Sequence, residues 1–330
     1  MKYNPSTDWM SKAKYGLLLH YLYGLQNTGQ ASWSGGLPAA ATWDECVDSF
    51  DLSLFGRDVL ASGAGYVVFT LLQNSGYACS PGELYDRYCG RGYCSKRDLI
   101  AEISDALRPH GIKTLVYTSA NAPRFNDDIA EKLDYEYNGE SSLNPGRSKD
   151  GYRSFRDKWY AMMREYSMRW GDKVSGWWVD GCGDWLGCAG IWDDETLAEF
   201  SDALKAGNPD SIVCYNPQNN HPYEYEWVNQ GVVHAWNNVE DYTAGECFAL
   251  NTLPCQRWIN GMQWNATIYL GTNWAQPGKQ YPDAKWIEFM KKAFSFGGAM
   301  TIDALIRRDG SLDPAQMEQL AAIKAGVSAI

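Results

Sequence analysis

Residues 175–185 read SGWWVDGCGDW, and the way this stretch is read decides the fold. Val174, Trp177 and Val179 are β-formers, and the run stops at Asp180–Gly181. A carboxylate closing an apolar strand is costly unless it is paired or hydrogen-bonded. In a (β/α)8 barrel the C-terminal strand ends carry the catalytic groups, so Asp180 is a candidate for chemistry. For a lone Val-Asp-Gly the alternative is a structural aspartate that caps a turn. The choice between them depends on whether the rest of the chain builds a barrel.

Working outward, Tyr15–His20 (YGLLLH) is a continuous apolar run, as expected for a parallel strand covered on both faces. Leu52, Phe55, Val59 and Leu60 recur at helical spacing over Asp51–Gly63, and Tyr66–Thr70 follows as a second strand. Leu99, Ile103, Ala106 and Leu107 mark a helix that Pro109 and Gly111 stop before a third strand, Ile112–Tyr117. Residues 120–150 read as a long polar loop, and Phe155–Trp170 as a helix leading into the fourth strand, Val174–Asp180. A helix over Glu195–Ala206 precedes a fifth strand, Ser211–Tyr215. Gly231–Trp236, Trp264–Leu270 and Gly298–Asp303 complete a set of eight, with helices over Trp286–Phe296 and Pro314–Ala325. Strands alternating with helices predict a parallel sheet. The expectation is an α/β chain: a single (β/α)8 TIM-like barrel over residues 1–330, with no C-terminal β-sandwich.

Composition narrows the function. The net charge is −11, with no basic cluster longer than Lys291–Lys292 or Arg307–Arg308, which argues against nucleic acid as a partner. No apolar run approaches the roughly 20 residues that cross a bilayer, so no membrane partner is expected. The opening MKYNPSTDWMSKAKYG lacks a signal-peptide core, so the expected location is the cytoplasm, or the chain is the mature form of an exported protein. Four scattered histidines (His20, His110, His221 and His234) suggest no structural zinc site, and neither a metal nor a cofactor is expected. Of the nine cysteines most are expected as free thiols, with local pairs such as Cys89/Cys94 or Cys182/Cys188 as the alternative. Fifteen Trp and 21 Tyr supply flat apolar faces with polar edges, which suit sugars among other ligands. Asn265-Ala-Thr is a glycosylation sequon only on a eukaryotic secretory route. Oligomeric state leaves no mark on the sequence.

Cleaving a glycosidic bond with retention takes two carboxyl groups about 5–5.5 Å apart, one to attack the anomeric carbon and one to protonate the leaving oxygen. If Asp180 is the first, the second belongs beyond another strand end on the same face. Glu246, in NNVEDYTAGEC, is the candidate, with Glu240 and Asp241 as competitors in the same loop.

Taken in order, these segments resemble the catalytic barrel of the glycoside hydrolase family 29 α-L-fucosidases. YGLLLHYLYG is similar to the family's F-G-I-F-I-H-W-G, and RDLIAEISDALRPHGIKTLVYTS to its D-L-V-x-E-L-x-x-A-x-R-x-x-G-L-K-F-G-x-Y-Y-S. Trp178–Gly181 matches W-x-D-G, and Asp241 to Glu246 repeats the five-residue step of D-F-x-T-P/A-E. FGGAMTIDALIRRDG resembles S-K-G-G-N-L-L-L-N-x-x-P-x-x-D-G. The resemblance covers nearly the whole chain. It implies a retaining mechanism on a terminal α-linked fucose or related sugar of an oligosaccharide or glycoconjugate, with Asp180 as nucleophile and Glu246 as acid/base. It also implies His20 and Trp178 in the sugar pocket, with Tyr117 and Trp43 as further carry-overs. Trp33 and Trp236 are candidate aromatic walls near the strand ends.

The departures are specific. The family's His-His after the second strand is Gln73–Asn74, whose amides can still hydrogen-bond hydroxyls but cannot carry charge. The arginine found before the acid/base segment in some members falls near His234, and Tyr21 replaces the Trp after the first His. A different sugar specificity, or a binding barrel without turnover, are the alternatives these changes raise.

Overall fold

A computed structural model describes residues 5–121, 123, 125–135, 152–182, 192–217, 237–250, 253 and 256–328. Its strands are β1 (Tyr15–Leu19), β2 (Tyr66–Thr70), β3 (Lys113–Ser119), β4 (Val174–Asp180), β5 (Ile212–Tyr215), β6 (Trp258–Ile259), β7 (Met262–Gln263), β8 (Asn265–Tyr269) and β9 (Ala299–Asp303). Seven of them form one parallel sheet in the order β5-β4-β3-β2-β1-β9-β8, while β6 and β7 pair as a small antiparallel hairpin. The curled parallel sheet in an α/β chain is consistent with a TIM-like barrel. The strand expected at Gly231–Trp236 lies outside the described residues. β3 runs two residues past its expected end, because Thr118 and Ser119 pair with Val179 and Asp180. Within the expected loop of 120–150, the described part contains a helix, Asp127–Lys132, capped by Asn126.

The helices form where the periodicity places them, and their caps are visible in sequence. Asp51 accepts from the Ser53 and Leu54 amides at the start of Leu52–Ser62, and Gly63, at φ +79°, ends it. Asp98 caps Leu99–Leu107, and Asp193 with Thr196 makes a capping box before Asp194–Leu204.

The strands divide the core in two by their period of two. Leu17, Leu19, Val67, Phe69, Val116, Trp177 and Val179 pack outward with the helices. Leu18, Tyr66, Val68, Leu115, Tyr117, Trp178, Ile212 and Cys214 pack together on the inner face. Gly16 permits this filling, because a Cβ there would sit 2.2 Å from the Tyr66 ring. Continuing each inner row to the end of its strand reaches His20, Asp180 and Asp303.

Between β5 and β8 the chain segment 240–247 makes hydrogen bonds to both edges. The Asp241 amide donates to the Val213 carbonyl at 2.9 Å. The Val213 and Tyr215 amides donate to the carboxylates of Asp241 and Glu240. On the other side the Thr243 and Cys247 amides donate to the Gln263 and Thr267 carbonyls. Side-chain carboxylates thus satisfy amides of a buried strand edge that would otherwise be costly. Tyr242 joins the inner-face packing, and its hydroxyl donates to the Trp177 carbonyl at 2.9 Å. Gly245, at φ +62°, is obligatory: a Cβ would lie 2.0 Å from the Asn265 carbonyl oxygen.

Candidate active site

Asp180 ends β4, where its carboxylate is satisfied from three sides. The Gly181 amide and the Asn216 side-chain amide each donate to Oδ1 at 2.8 Å. The Tyr117 hydroxyl donates to Oδ2 at 2.5 Å. Tyr117 accepts in turn from the Gln73 amide at 2.5 Å, and its ring stacks on Trp178 with centroids 5.2 Å apart. Burial, and then the charge of Asp180, push the Tyr117 pKa well up, so the phenol remains a donor.

Asn216, one residue beyond β5, joins two carboxylates. Its Nδ2 donates to Asp180 at 2.8 Å and to Glu246 Oε2 at 2.6 Å. Sharing one nitrogen, those two oxygens lie no more than about 5.4 Å apart. Glu246 is pushed up to about 7, first by burial and then by the negative charge of Asp180; Asn216 and His20 act in the opposite direction. At neutral pH such a carboxyl samples both protonation states.

His20 follows β1, and its Nδ1 lies 2.6 Å from Asp303 Oδ2 at the end of β9. The Ala275 amide donates to the other Asp303 oxygen at 2.7 Å. Burial alone would lower the His20 pKa. The charge and hydrogen bond of Asp303, then the charges of Asp180 and Glu246, outweigh it and raise the value.

These groups surround an open pocket of about 180 Å³. Its polar side is His20, Gln73, Asp180, Asn216 and Glu246. Its apolar side is Leu18, Leu22, Leu25, Trp178 and Trp274, with Tyr117 between them. Concave pockets with few convergent polar groups are the usual form of a small-ligand site.

The structure therefore brings together His20, Gln73, Tyr117, Trp178, Asp180 and Glu246 from five segments of the chain. Other expected residues stand apart from the pocket. Trp43 is buried in the core: it begins the helix Trp43–Asp48, packs on Tyr21, Tyr23 and Tyr77, and donates to the Ala78 carbonyl. Trp33 donates to the Ala275 carbonyl, which buttresses the segment carrying Trp274 from behind. Asn74 is not among the lining residues; its carbonyl accepts from the Phe125 amide. His234 and Trp236 lie outside the described residues. Asp241 is paired with Lys205 at 2.5 Å, and Glu240 accepts from the Tyr215 amide, so the competitors of Glu246 are committed to the β5 edge. Cys89 and Cys94 are free thiols, and Cys188 of the other expected pair lies outside the described residues. Asn265 is fully buried on β8, with its side chain bonded to the Thr243 and Ala244 carbonyls, so its sequon is inaccessible in the folded chain.

Sequence reasoning missed Asn216, Asp303 and Trp274 as site residues. Asp303 carries the signal that marked Asp180, a carboxylate closing an apolar strand. Asn216 is the first polar residue after IVCY. Trp274 lies in a loop with no such signal.

The chain matches the α-L-fucosidase family model over residues 1–326 and belongs to that family. Among solved structures it is similar to an endo-fucoidan hydrolase of glycoside hydrolase family 107, at 15% identity and TM-score 0.69, covering 97% of this chain and 53% of the other. It is also similar to α-L-fucosidase isoenzyme 1 from Paenibacillus thiaminolyticus, at 17% identity and TM-score 0.65, covering 97% and 75%. With the α-L-fucosidase AlfC from Lactobacillus casei, solved with its α-L-fucose product, it shares 16% identity at TM-score 0.63, covering 99% of both chains. At these identities the likeness is one of fold, and the chain spans about half the length of the endo-fucoidan hydrolase. Curated protein sequences return no match.

Proposed function

We propose that this chain is a retaining glycosidase that releases a terminal α-linked L-fucose, or a close relative of it, from an oligosaccharide or glycoconjugate. The observation that carries the proposal is the single amide of Asn216 bonded to both Asp180 and Glu246. An inverting pair needs about 6.5–9.5 Å to admit a water, whereas a nucleophile and its acid/base partner stand about 5–5.5 Å apart. The bound of about 5.4 Å between the bridged oxygens supports the second arrangement.

In this reading Asp180 attacks the anomeric carbon while Glu246 gives its proton to the leaving oxygen. The C1–Oδ bond forms as the glycosidic C1–O bond breaks. The glycosyl ester that results carries no negative charge on Asp180. Glu246 then loses the repulsion that raised its pKa, becomes the stronger acid and persists as carboxylate. It takes a proton from water, the water oxygen bonds to C1, and Asp180 leaves as carboxylate. Tyr117 and Asn216 orient the nucleophile, and Tyr117 holds its attacking face through hydrogen bonding. His20, held by Asp303, presents its far nitrogen as a donor to a sugar hydroxyl. The wall of Leu22, Leu25 and Trp274 fits a sugar with an apolar edge, such as the methyl group of a 6-deoxyhexose.

The test is hydrolysis of 4-nitrophenyl α-L-fucopyranoside, with the first-formed anomer followed by proton NMR. The α-anomer is expected. A 2-fluoro-fucosyl fluoride should leave its glycosyl mass on the peptide containing Asp180. The β-anomer, or label on another residue, overturns the mechanism. Sugar binding with no turnover across a panel of aryl glycosides would replace it with a carbohydrate-binding barrel.

A further inference from the structure

We propose that Phe248 and Trp274, backed by the buried Tyr269, form a stacking platform for the leaving-group sugar, a neutral hexopyranose joined through the scissile oxygen. The inference rests on the glycosidase reading above and extends it to the other side of the bond. Glu246 must reach the glycosidic oxygen, so whatever lies beyond that oxygen sits on its side of the mouth. The backbone there is extended alongside β8: Glu246 pairs with Thr267, and the Cys247 amide donates to the Thr267 carbonyl at 2.9 Å. A period of two sends Cys247 to the core and returns Phe248 to the side of Glu246, one step further out.

The rings there pack against one another edge-on or tilted. Phe248 lies 6.2 Å from Tyr269 and 6.4 Å from Trp274, and Tyr269 and Trp274 are 5.0 Å apart. Trp274 also lines the pocket and faces the His20 ring at 6.5 Å. An aromatic surface thus runs from the pocket to the rim, where Phe248 is 45% exposed. Its backbone is fixed by the Gln280 side chain, which donates to the Phe248 carbonyl at 2.8 Å. An anchored, exposed ring beside the acid/base group presents a flat apolar face to the C–H face of a pyranose.

The experiment compares two kinds of substrate on the same enzyme. α-L-Fucosyl fluoride has a leaving atom too small to reach the platform. α-L-Fucosyl disaccharides ending in galactose, glucose or N-acetylglucosamine place a pyranose on it. In Phe248→Ala the ratio of kcat/KM for the best disaccharide over the fluoride should fall about 3- to 10-fold. Phe248→Trp should hold that ratio at or above wild type. Phe125→Ala, at a ring 77% exposed on the segment after β3, should leave the ratio at the wild-type value. A ratio unchanged in Phe248→Ala overturns the platform, and so does fluoride hydrolysis without cleavage of any disaccharide. Failure of the wild type on the fluoride itself overturns the underlying glycosidase reading instead.

Discussion

Replacing Asp180 by Asn should drop the pKa of Glu246, and the size of the drop follows from the geometry. The two carboxylates are held by one amide with their bridged oxygens within about 5.4 Å. At an effective dielectric of about 20, two unit charges at that distance repel by about 3 kcal/mol. That corresponds to about two pH units. The substitution preserves shape and leaves an oxygen for Asn216 to bond, so it chiefly removes charge. Glu246 should therefore titrate near 7 in the wild type and about two units lower in Asp180→Asn, still above an exposed glutamate because it remains buried. The assay is carbon-13 NMR of protein labelled at the glutamate carboxyl, with the Glu246 signal assigned by its loss in Glu246→Gln. The variant imitates the glycosyl ester, in which Asp180 is also neutral, so the experiment measures the switch from acid to base directly. A midpoint that stays within half a unit of wild type, or rises, would refute the charge coupling and leave the switch without a cause.

Other expectations follow from the same geometry. Asn216→Leu removes charge-assisted bonds to both carboxylates, each worth about 1.5–3 kcal/mol. The kcat/KM on an aryl fucoside should fall about 100-fold, and the alkaline limb of its pH profile should move upward. Asp303→Asn removes the main group that raises His20, leaving burial opposed only by the charges of Asp180 and Glu246. Nitrogen-15 NMR should then find the imidazole titrating at lower pH than in the wild type, and KM should rise more than kcat falls. The Glu246 pKa is raised on folding, so the folded state holds its proton more tightly, and stability falls as pH climbs from the unfolded value near 4.3 through about 7. Glu246→Gln should consequently melt above the wild type by an amount that grows between pH 5 and 8, up to about 3 kcal/mol. Trp43→Ala empties a buried site beneath three tyrosines and should cost about 3–5 kcal/mol by urea denaturation, with KM of the folded enzyme moving less than twofold.

Much of the framework was legible because its signals are local. Each strand of the parallel sheet is a short apolar run buried on both faces, so YGLLL, YVVFT and IVCY mark themselves without reference to their neighbours. Helices were legible through their apolar spacing and through the glycines and prolines that end them. Asp180 stood out because charge is costly at the end of such a run, and the same reasoning would have found Asp303.

Partnership is what the sequence left undecided. Glu240, Asp241 and Glu246 occupy one short polar stretch and look alike there. Only the fold separates them: two saturate the buried edge amides of β5, while Gly245 turns the third toward Asp180. Trp43 and Trp178 are both buried, but one begins a helix and packs among three tyrosines while the other walls the pocket. Asn216 acquires its meaning only when two carboxylates remote in sequence converge on it. A pattern of apolar and polar residues records how deeply a segment is buried. Which strand ends meet, and what their side chains satisfy there, is set by long-range register and closure of the sheet, which no local pattern encodes.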